Sequence, residues 1–317
     1  MPRALVSAWL LLVAAALAPL MAGDAPAAPA TTTASPAAAA ATPAAATAPP
    51  LPETLLLGIV KALQHDDFTL FIKALPADQL ALLQTRWTTV GLSAAQAKSL
   101  DGFLAKYLAP GAVDAYVTAQ KEAITGLDLG NYSQKLTMGG AVLPMILGNA
   151  GALTPAQQNL LPQVQQLLTD LGGWLPTSGL NDPAKVHQAL DHVQLALKAL
   201  GVTTSAQLHQ VAFADLVTRL GPAHHELKLA LAAFGINADA LLSSLTATSV
   251  VDPGGDPTHR TLTVSFTAFA HPYVVALPIH YQDSLWLIDP VIVPQAVRNL
   301  APVLLTTLGQ PGDPAQP

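Results

Sequence analysis

From Thr261 to Ala268 the chain alternates without exception. Leu262, Val264, Phe266 and Ala268 fall on one side, and Thr261, Thr263, Ser265 and Thr267 on the other. A period of two with β-branched residues defines a half-buried strand and excludes a helix over that stretch. Asp252-Pro253-Gly254-Gly255-Asp256-Pro257 before it is a dense turn signal, pairing it with 245–251. Ala270-His271-Pro272 predicts a bend into a third strand over Tyr273–Tyr281, with Pro278 at an edge or bulge. Gln282-Asp283-Ser284 turns into a fourth strand at Leu285–Asp289. The sum is a four-stranded antiparallel meander within 246–293.

Residues 51–245 have a different period. Leu55, Leu56, Ile59, Val60 and Leu63 share a face at helical spacing in a segment from Glu53 to Gln64. Asp66-Asp67 then starts a helix over Phe68–Ala74. Pro76 at a first helical position leads Leu80, Leu82, Leu83 and Trp87. Ser93 with Gln96 forms a capping box for a helix through Leu108, and another reaches Ile124 or Leu127. Asp128–Ser133 reads as a polar turn before a helix kinked at Pro144. Thr154-Pro155 starts a helix that should stop at Gly172-Gly173, and Asp182-Pro183 one that should stop at Gly201. His224-His225 with Glu226 reads as a further helix start. A local echo joins 196–202 to 230–236: each ends a helix in glycine followed by an apolar residue, with Gly201 and Gly235 spaced 34 residues apart. The fold class expected is α+β: a predominantly helical body followed by a C-terminal four-stranded antiparallel β-meander.

The ends carry address and tether. Arg3 precedes an apolar run, and small residues follow Pro19, so residues 1–23 match a secretory signal peptide; cleavage sites of the right type extend to Ala27. Left uncleaved, the same run is nearly long enough to anchor in a bilayer, though Pro19 and the small residues favour cleavage. Residues 24–50 are Ala, Pro and Thr, without the large apolar side chains that offset chain entropy, and are expected to be a disordered spacer. A single α+β domain is expected over 51–308, closing in a short helix over 294–308 marked by Val297, Leu300, Ala301, Leu304 and Leu308. A disordered tail, 309–317, ends the chain.

Composition removes whole classes of function. The 317 residues include no cysteine, so disulfides, thiol nucleophiles and cysteine-ligated zinc are excluded. The net charge is −6, and only Arg3 among the 14 Lys and Arg precedes Lys61; the rest are spread singly. Nucleic-acid binding needs clustered cations, so no nucleic-acid partner is expected. Gly-x-Ser-x-Gly, Ser-x-x-Lys, phosphate-loop and His-Glu-x-x-His patterns are all absent. No catalytic residue and no cofactor is expected.

Histidine is the one side chain rich enough in chemistry to follow, with nine in the chain. His187 and Asp191 share a helix face at i and i+4, a spacing that can ligate zinc, and His224 is the candidate third ligand. Polar helix faces and caps explain the same residues. His271 and His280 flank the third strand, at turn and edge positions. Asp252 and Asp256 belong to a turn and lack the alternating ligands of a calcium loop. A ligand pocket, if present, would lie beneath the sheet, lined by Leu262, Val264, Phe266 and Trp286.

The run Tyr281-Gln282-Asp283-Ser284-Leu285-Trp286-Leu287-Ile288-Asp289 resembles the closing hairpin of exported NTF2-like domains, where a polar turn precedes Trp-x-Ile-Asp. The region from Asp182 to Asp289 is similar to a family of uncharacterised exported bacterial proteins: helix, Leu-Gly stop, two further helices, then a meander. The resemblance implies a curved sheet over an apolar pocket that serves binding, and it brings no catalytic residue with it. The expected function is a non-catalytic, periplasmic or secreted binding or interaction protein of the cell envelope, its partner an envelope protein. The alternatives are a carrier of a small apolar ligand and a metal-dependent hydrolase. Membrane contact is expected only if the leader stays uncleaved.

Overall fold

The computed structural model describes residues 50–75, 77–89, 94–149, 155–282 and 285–288. The leader, the spacer, the capping residues Ser93 and Thr154, and the expected helix and tail after 294 lie outside the described residues. In chain order the described helices are α1 (Pro52–Gln64), α2 (Phe68–Ala74), α3 (Ala77–Thr89), α4 (Ala94–Leu108), α5 (Ala112–Ala119), α6 (Lys121–Thr125), α7 (Leu129–Asn149), α8 (Pro155–Trp174), α9 (Pro183–Leu200), α10 (Ser205–Gln210), α11 (Phe213–Ala232) and α12 (Ala238–Ser244). A 3₁₀ turn, Leu175–Thr177, follows α8. The strands β1 (Thr246–Val251), β2 (His259–Ala268), β3 (His271–Gln282) and β4 (Leu285–Ile288) form one antiparallel sheet in the order β1-β2-β3-β4. The protein is a helical body followed by a C-terminal antiparallel meander.

The principal core is built around α9 and does not include the sheet. Val186, Ala189, Leu190, Val193, Ala196, Leu197 and Leu200 of α9 are buried against Leu104 and Tyr107 of α4, Val113 and Val117 of α5, and Ala223, Leu227 and Ala230 of α11. A central helix must be apolar around much of its girth, and α9 is: its buried positions cover more than one stripe. Asp182 caps its start by accepting from the Ala184 N–H at 2.9 Å, and Gly201 in the left-handed region (φ 66°) ends it. Gly235 (φ 80°) does the same after α11, and Thr204 and Asn237 then cap the short helices α10 and α12. The echo is therefore two units of long helix, glycine cap and short helix. A smaller cluster, Leu143 and Leu168 with Leu136, Leu161 and Val164, holds α7 to α8.

Several boundaries differ from the sequence expectation. Asp128 is a cap, not the start of a polar turn: its carboxylate accepts from the Asn131 N–H at 2.9 Å and α7 begins at Leu129. Gly172-Gly173 does not stop α8. Gly172 lies against α7, where a Cβ would meet Thr137 Oγ1 at 2.6 Å, so glycine serves helix–helix approach there. The helix expected to reach Ile124 or Leu127 breaks at Gln120 (φ −109°, ψ 9°) into α5 and α6, with no glycine or proline to mark it. His224 and His225 lie deep inside α11, which begins at Phe213 and carries Pro222 in its interior. The bend expected at Ala270–Pro272 is instead a two-residue turn at Phe269 (φ 51°) and Ala270 (φ 66°), both in the left-handed region. Two positive φ values are what a tight hairpin turn requires to match strand twist. The Phe269 ring is held there by Trp174, 6.0 Å away, whose Nε1–H donates to the Phe234 carbonyl. Pro278 lies one residue beyond the β4 ladder, whose last pair is Ile279 with Ile288, so its missing N–H falls where β4 offers no partner.

Candidate functional site

His187 and Asp191 do come together, as one turn of α9 dictates. His187 Nδ1 lies 2.9 Å from Asp191 and Nε2 lies 2.7 Å from Asp114 of α5. The hydrogen bond to Asp114 is the largest influence on His187, and with the nearby carboxylates it raises the imidazole's pKa above its usual value. Both ring nitrogens are thus engaged in an ion pair. His224 is not part of this group: its Nδ1 bonds Asp66 at 2.8 Å, against the α1–α2 turn. Among the described residues no set of three or more His, Cys, Asp or Glu is arranged to hold a metal ion. Of the expected zinc ligands, helical spacing brings His187 and Asp191 together, and α11 presents His224 to a different neighbour, Asp66.

That neighbour is the first of two polar knots. Asp66 stands in the left-handed region (φ 52°) between α1 and α2, and its carboxylate takes His224 at 2.8 Å, His225 at 3.0 Å and Lys228 at 3.0 Å, three residues of α11. Lys228, buried, also pairs with Asp239 at 2.7 Å. Burial alone would raise the Asp66 pKa, but the bonds from His224, Lys228 and His225 outweigh it and hold the carboxyl below its usual value. Burial lowers the His224 pKa, and Asp66 opposes this without reversing it. The pair is then a neutral imidazole donating its Nδ1–H to a carboxylate. The knot is possible because Gly221 lets α11 touch the turn: a Cβ there would run into the Asp66 carbonyl oxygen.

The second knot lies under the sheet. Asp170 of α8 is buried and accepts from the Tyr273 hydroxyl, from His271 Nδ1 at 2.9 Å and from Gln166 Nε2 at 2.9 Å. Burial pushes its carboxyl up, and the bonds from Tyr273, Gln166 and His271 more than offset this, leaving the pKa lowered. Burial, with the adjacent carboxylate, pushes the Tyr273 phenol far up, so it stays protonated and donates. Nothing in the local sequence near Asp170 announces this. The pattern puts Asp170 on a helix and His271 and Tyr273 on a strand, a hundred residues apart, and only docking α8 on β3 joins them. An Asp–His pair is a familiar catalytic fragment, but here the bonds from Tyr273 and His271 pin α8 to the sheet, and the third comes from Gln166 one turn back on α8 itself. Four further histidines bond carboxylates in the same way: His187, His192 (with Glu226), His225 and His259 (with Asp256).

The expected ligand residues are on one face, as register requires. Val264 pairs with Val275, Leu262 with Leu277, Phe266 with Tyr273, and Trp286 with Tyr281, and directly paired residues share a side of an antiparallel sheet. Leu262 is buried, while Val264, Phe266 and Trp286 are half-buried. The Phe266 and Tyr273 rings stack at 5.2 Å, and Trp286 Nε1–H donates to the Pro50 carbonyl at 2.7 Å. Helices α8, α1 and α12 flank this sheet, as Asp170 on Tyr273, Glu53 on Ser249 and Ser244 on the Thr267 N–H show.

Among the described residues β1 pairs with β2 alone, residue for residue from Thr246 with Ser265 to Val251 with Arg260, so its outer edge takes no second strand there. Its sequence, Thr-Ala-Thr-Ser-Val-Val, holds no charge, no proline and no glycine, and Val250 is 67% exposed. Sheets usually protect such an edge with charge, proline or a bulge. The opposite edge is partly closed: beyond β4, Gln163 of α8 accepts the Val274 N–H at 3.0 Å. Among the described residues no helix is long and apolar enough to cross a membrane. No family model matches the chain, and no curated protein or solved structure matches it.

Proposed function

We propose that this chain is a non-catalytic binding protein of the cell envelope, exported by its N-terminal leader, and that it takes its partner along β1. The observation that carries the reading is the regular outer edge of β1, which takes no second strand among the described residues, beside the exposed Val250. Its outer row of backbone N–H and C=O groups is a template for one more strand, and alternate side chains at Thr246, Thr248 and Val250 supply selectivity. An uncharged edge favours an extended, β-branched segment with few charges, because charge on the incoming strand would be desolvated without a counterpart. The engagement of most histidines in internal carboxylate pairs supports a binding role over catalysis. Half-burial of Val264, Phe266 and Trp286 supports, as a second reading, a carrier of a small apolar ligand beneath the sheet.

The test is a photo-activated cross-linker at position 250 of the full chain, made in the envelope of a living cell, with the same group at Thr125 as control. A discrete adduct from 250 and none from 125 is expected. Equal labelling at both positions would refute the edge as the binding surface, and native mass spectrometry showing an apolar adduct of fixed mass would favour the carrier.

A further inference from the structure

α7 shows an apolar stripe to the outside. Met138 is 59% exposed, Val142 37% and Met145 63%, at positions i, i+4 and i+7. The chain has four methionines; two are Met1 and Met21, and the other two are both here. A Cβ built on the neighbouring Gly139 would meet nothing within 4 Å, so the face is also open. Thioethers adapt to irregular partners, and a solvated face seldom concentrates them. No residue from Leu136 to Thr169 is charged, so the only charge on α7 beside this face is Lys135, one turn before Met138.

We propose that this stripe is covered by the chain's own C-terminal segment, with Val297, Leu300 and Leu304 set against Met138, Val142 and Met145. β4 runs antiparallel to β3 and ends at Ile288 opposite Ile279. The chain therefore leaves the sheet heading toward the Val274–Tyr273 end of β3, where α8 is docked through Gln163 and Asp170. α7 lies directly against α8. Residues 289–296 can span at most about 28 Å when extended. That reaches across one helix of about 10 Å diameter and onto its neighbour, some 8–10 Å further. The chemistry also matches: Pro290–Leu308 is aliphatic and carries a single charge, Arg298. Val297, Leu300 and Leu304 repeat at i, i+3 and i+7, the complement of the stripe they would meet. A second copy is the weaker occupant. Three side chains fall well short of the roughly 800 Å² per partner that a stable complex buries, whereas a tethered segment acts at a local concentration on the order of millimolar and needs far less.

The chain has no cysteine, so introduced pairs have no background. Met145→Cys combined with Leu300→Cys or with Leu304→Cys, in the full chain under mild oxidation, should form an intramolecular disulfide, mapped by mass spectrometry. Met145→Cys with Leu57→Cys, on α1, should not. Disulfide-linked dimers through Cys at 145 alone would overturn the proposal in favour of a second copy, and no cross-link from either pair in a folded protein would overturn it outright. A second measurement needs no disulfide geometry. With Leu300→Asp and Leu304→Asp together, peroxide should oxidise Met138 and Met145 several-fold faster than in the parent; equal rates would refute the cover.

Discussion

Adding one methyl group at Gly221 should break the joint between α11 and the α1–α2 turn. A Cβ at this position would stand well under 3.0 Å from the Asp66 carbonyl oxygen, a backbone atom that cannot rotate aside. α11 and the turn must therefore separate. Forced overpacking of this kind costs roughly 1–3 kcal/mol, and the upper end applies because backbone meets helix. Separation also stretches the bonds from His224, His225 and Lys228 to Asp66, and hydrogen bonds to a charged group are worth about 1.5–3 kcal/mol. Lys228 keeps Asp239, which limits this loss. Alanine returns about 1 kcal/mol of helix preference. The net destabilisation expected for Gly221→Ala is about 3 kcal/mol, or a fall in Tm of roughly 6–12 °C for a domain of this size. Urea denaturation followed by far-ultraviolet circular dichroism measures it. Gly102→Ala is the control: it is exposed in α4 with nothing within 4 Å of its Cβ, and should stabilise by about 0.5–1 kcal/mol. The reasoning fails if Gly221→Ala unfolds within about 0.5 kcal/mol of the parent, since ordinary helix substitutions scatter by that much.

Two further outcomes are expected. Ala270→Gly should stabilise the protein by roughly 1 kcal/mol, because Ala270 is held at φ 66° where a Cβ is disfavoured; a lower urea midpoint for the variant would contradict the turn geometry. Acid should weaken the fold through Asp66 and Asp170, both depressed from 3.8. A depressed carboxyl contributes stability that is fully present above its unfolded pKa and is lost as pH falls through the folded value, each unit of depression being worth about 1.36 kcal/mol. Through these two carboxyls the urea midpoint should drop below about pH 4, and Asp170→Asn should flatten that drop; an unchanged profile below about pH 4 in the variant would remove Asp170 from the account.

Local signals decided much of this protein. Strict alternation at Thr261–Ala268 made a strand, Pro183 behind Asp182 opened α9, and Gly201 closed it, because periodicity and capping act over four residues or fewer and need no partner. The α+β order and the common face of Leu262, Val264, Phe266 and Trp286 follow from the same rules. Other elements were settled only by packing. Gly172 reads as a helix stop in isolation, yet the nearness of Thr137 makes it a helix–helix contact. Gly221-Pro222 hides the continuity of α11 for the same reason. That α9 holds the principal core, with the sheet pinned at the side of the body by Asp170, is a matter of packing. Neither that pin nor the separation of His224 from His187 could be read in advance, because each depends on which helix face meets which neighbour, and contacts between residues a hundred positions apart leave no period in the chain.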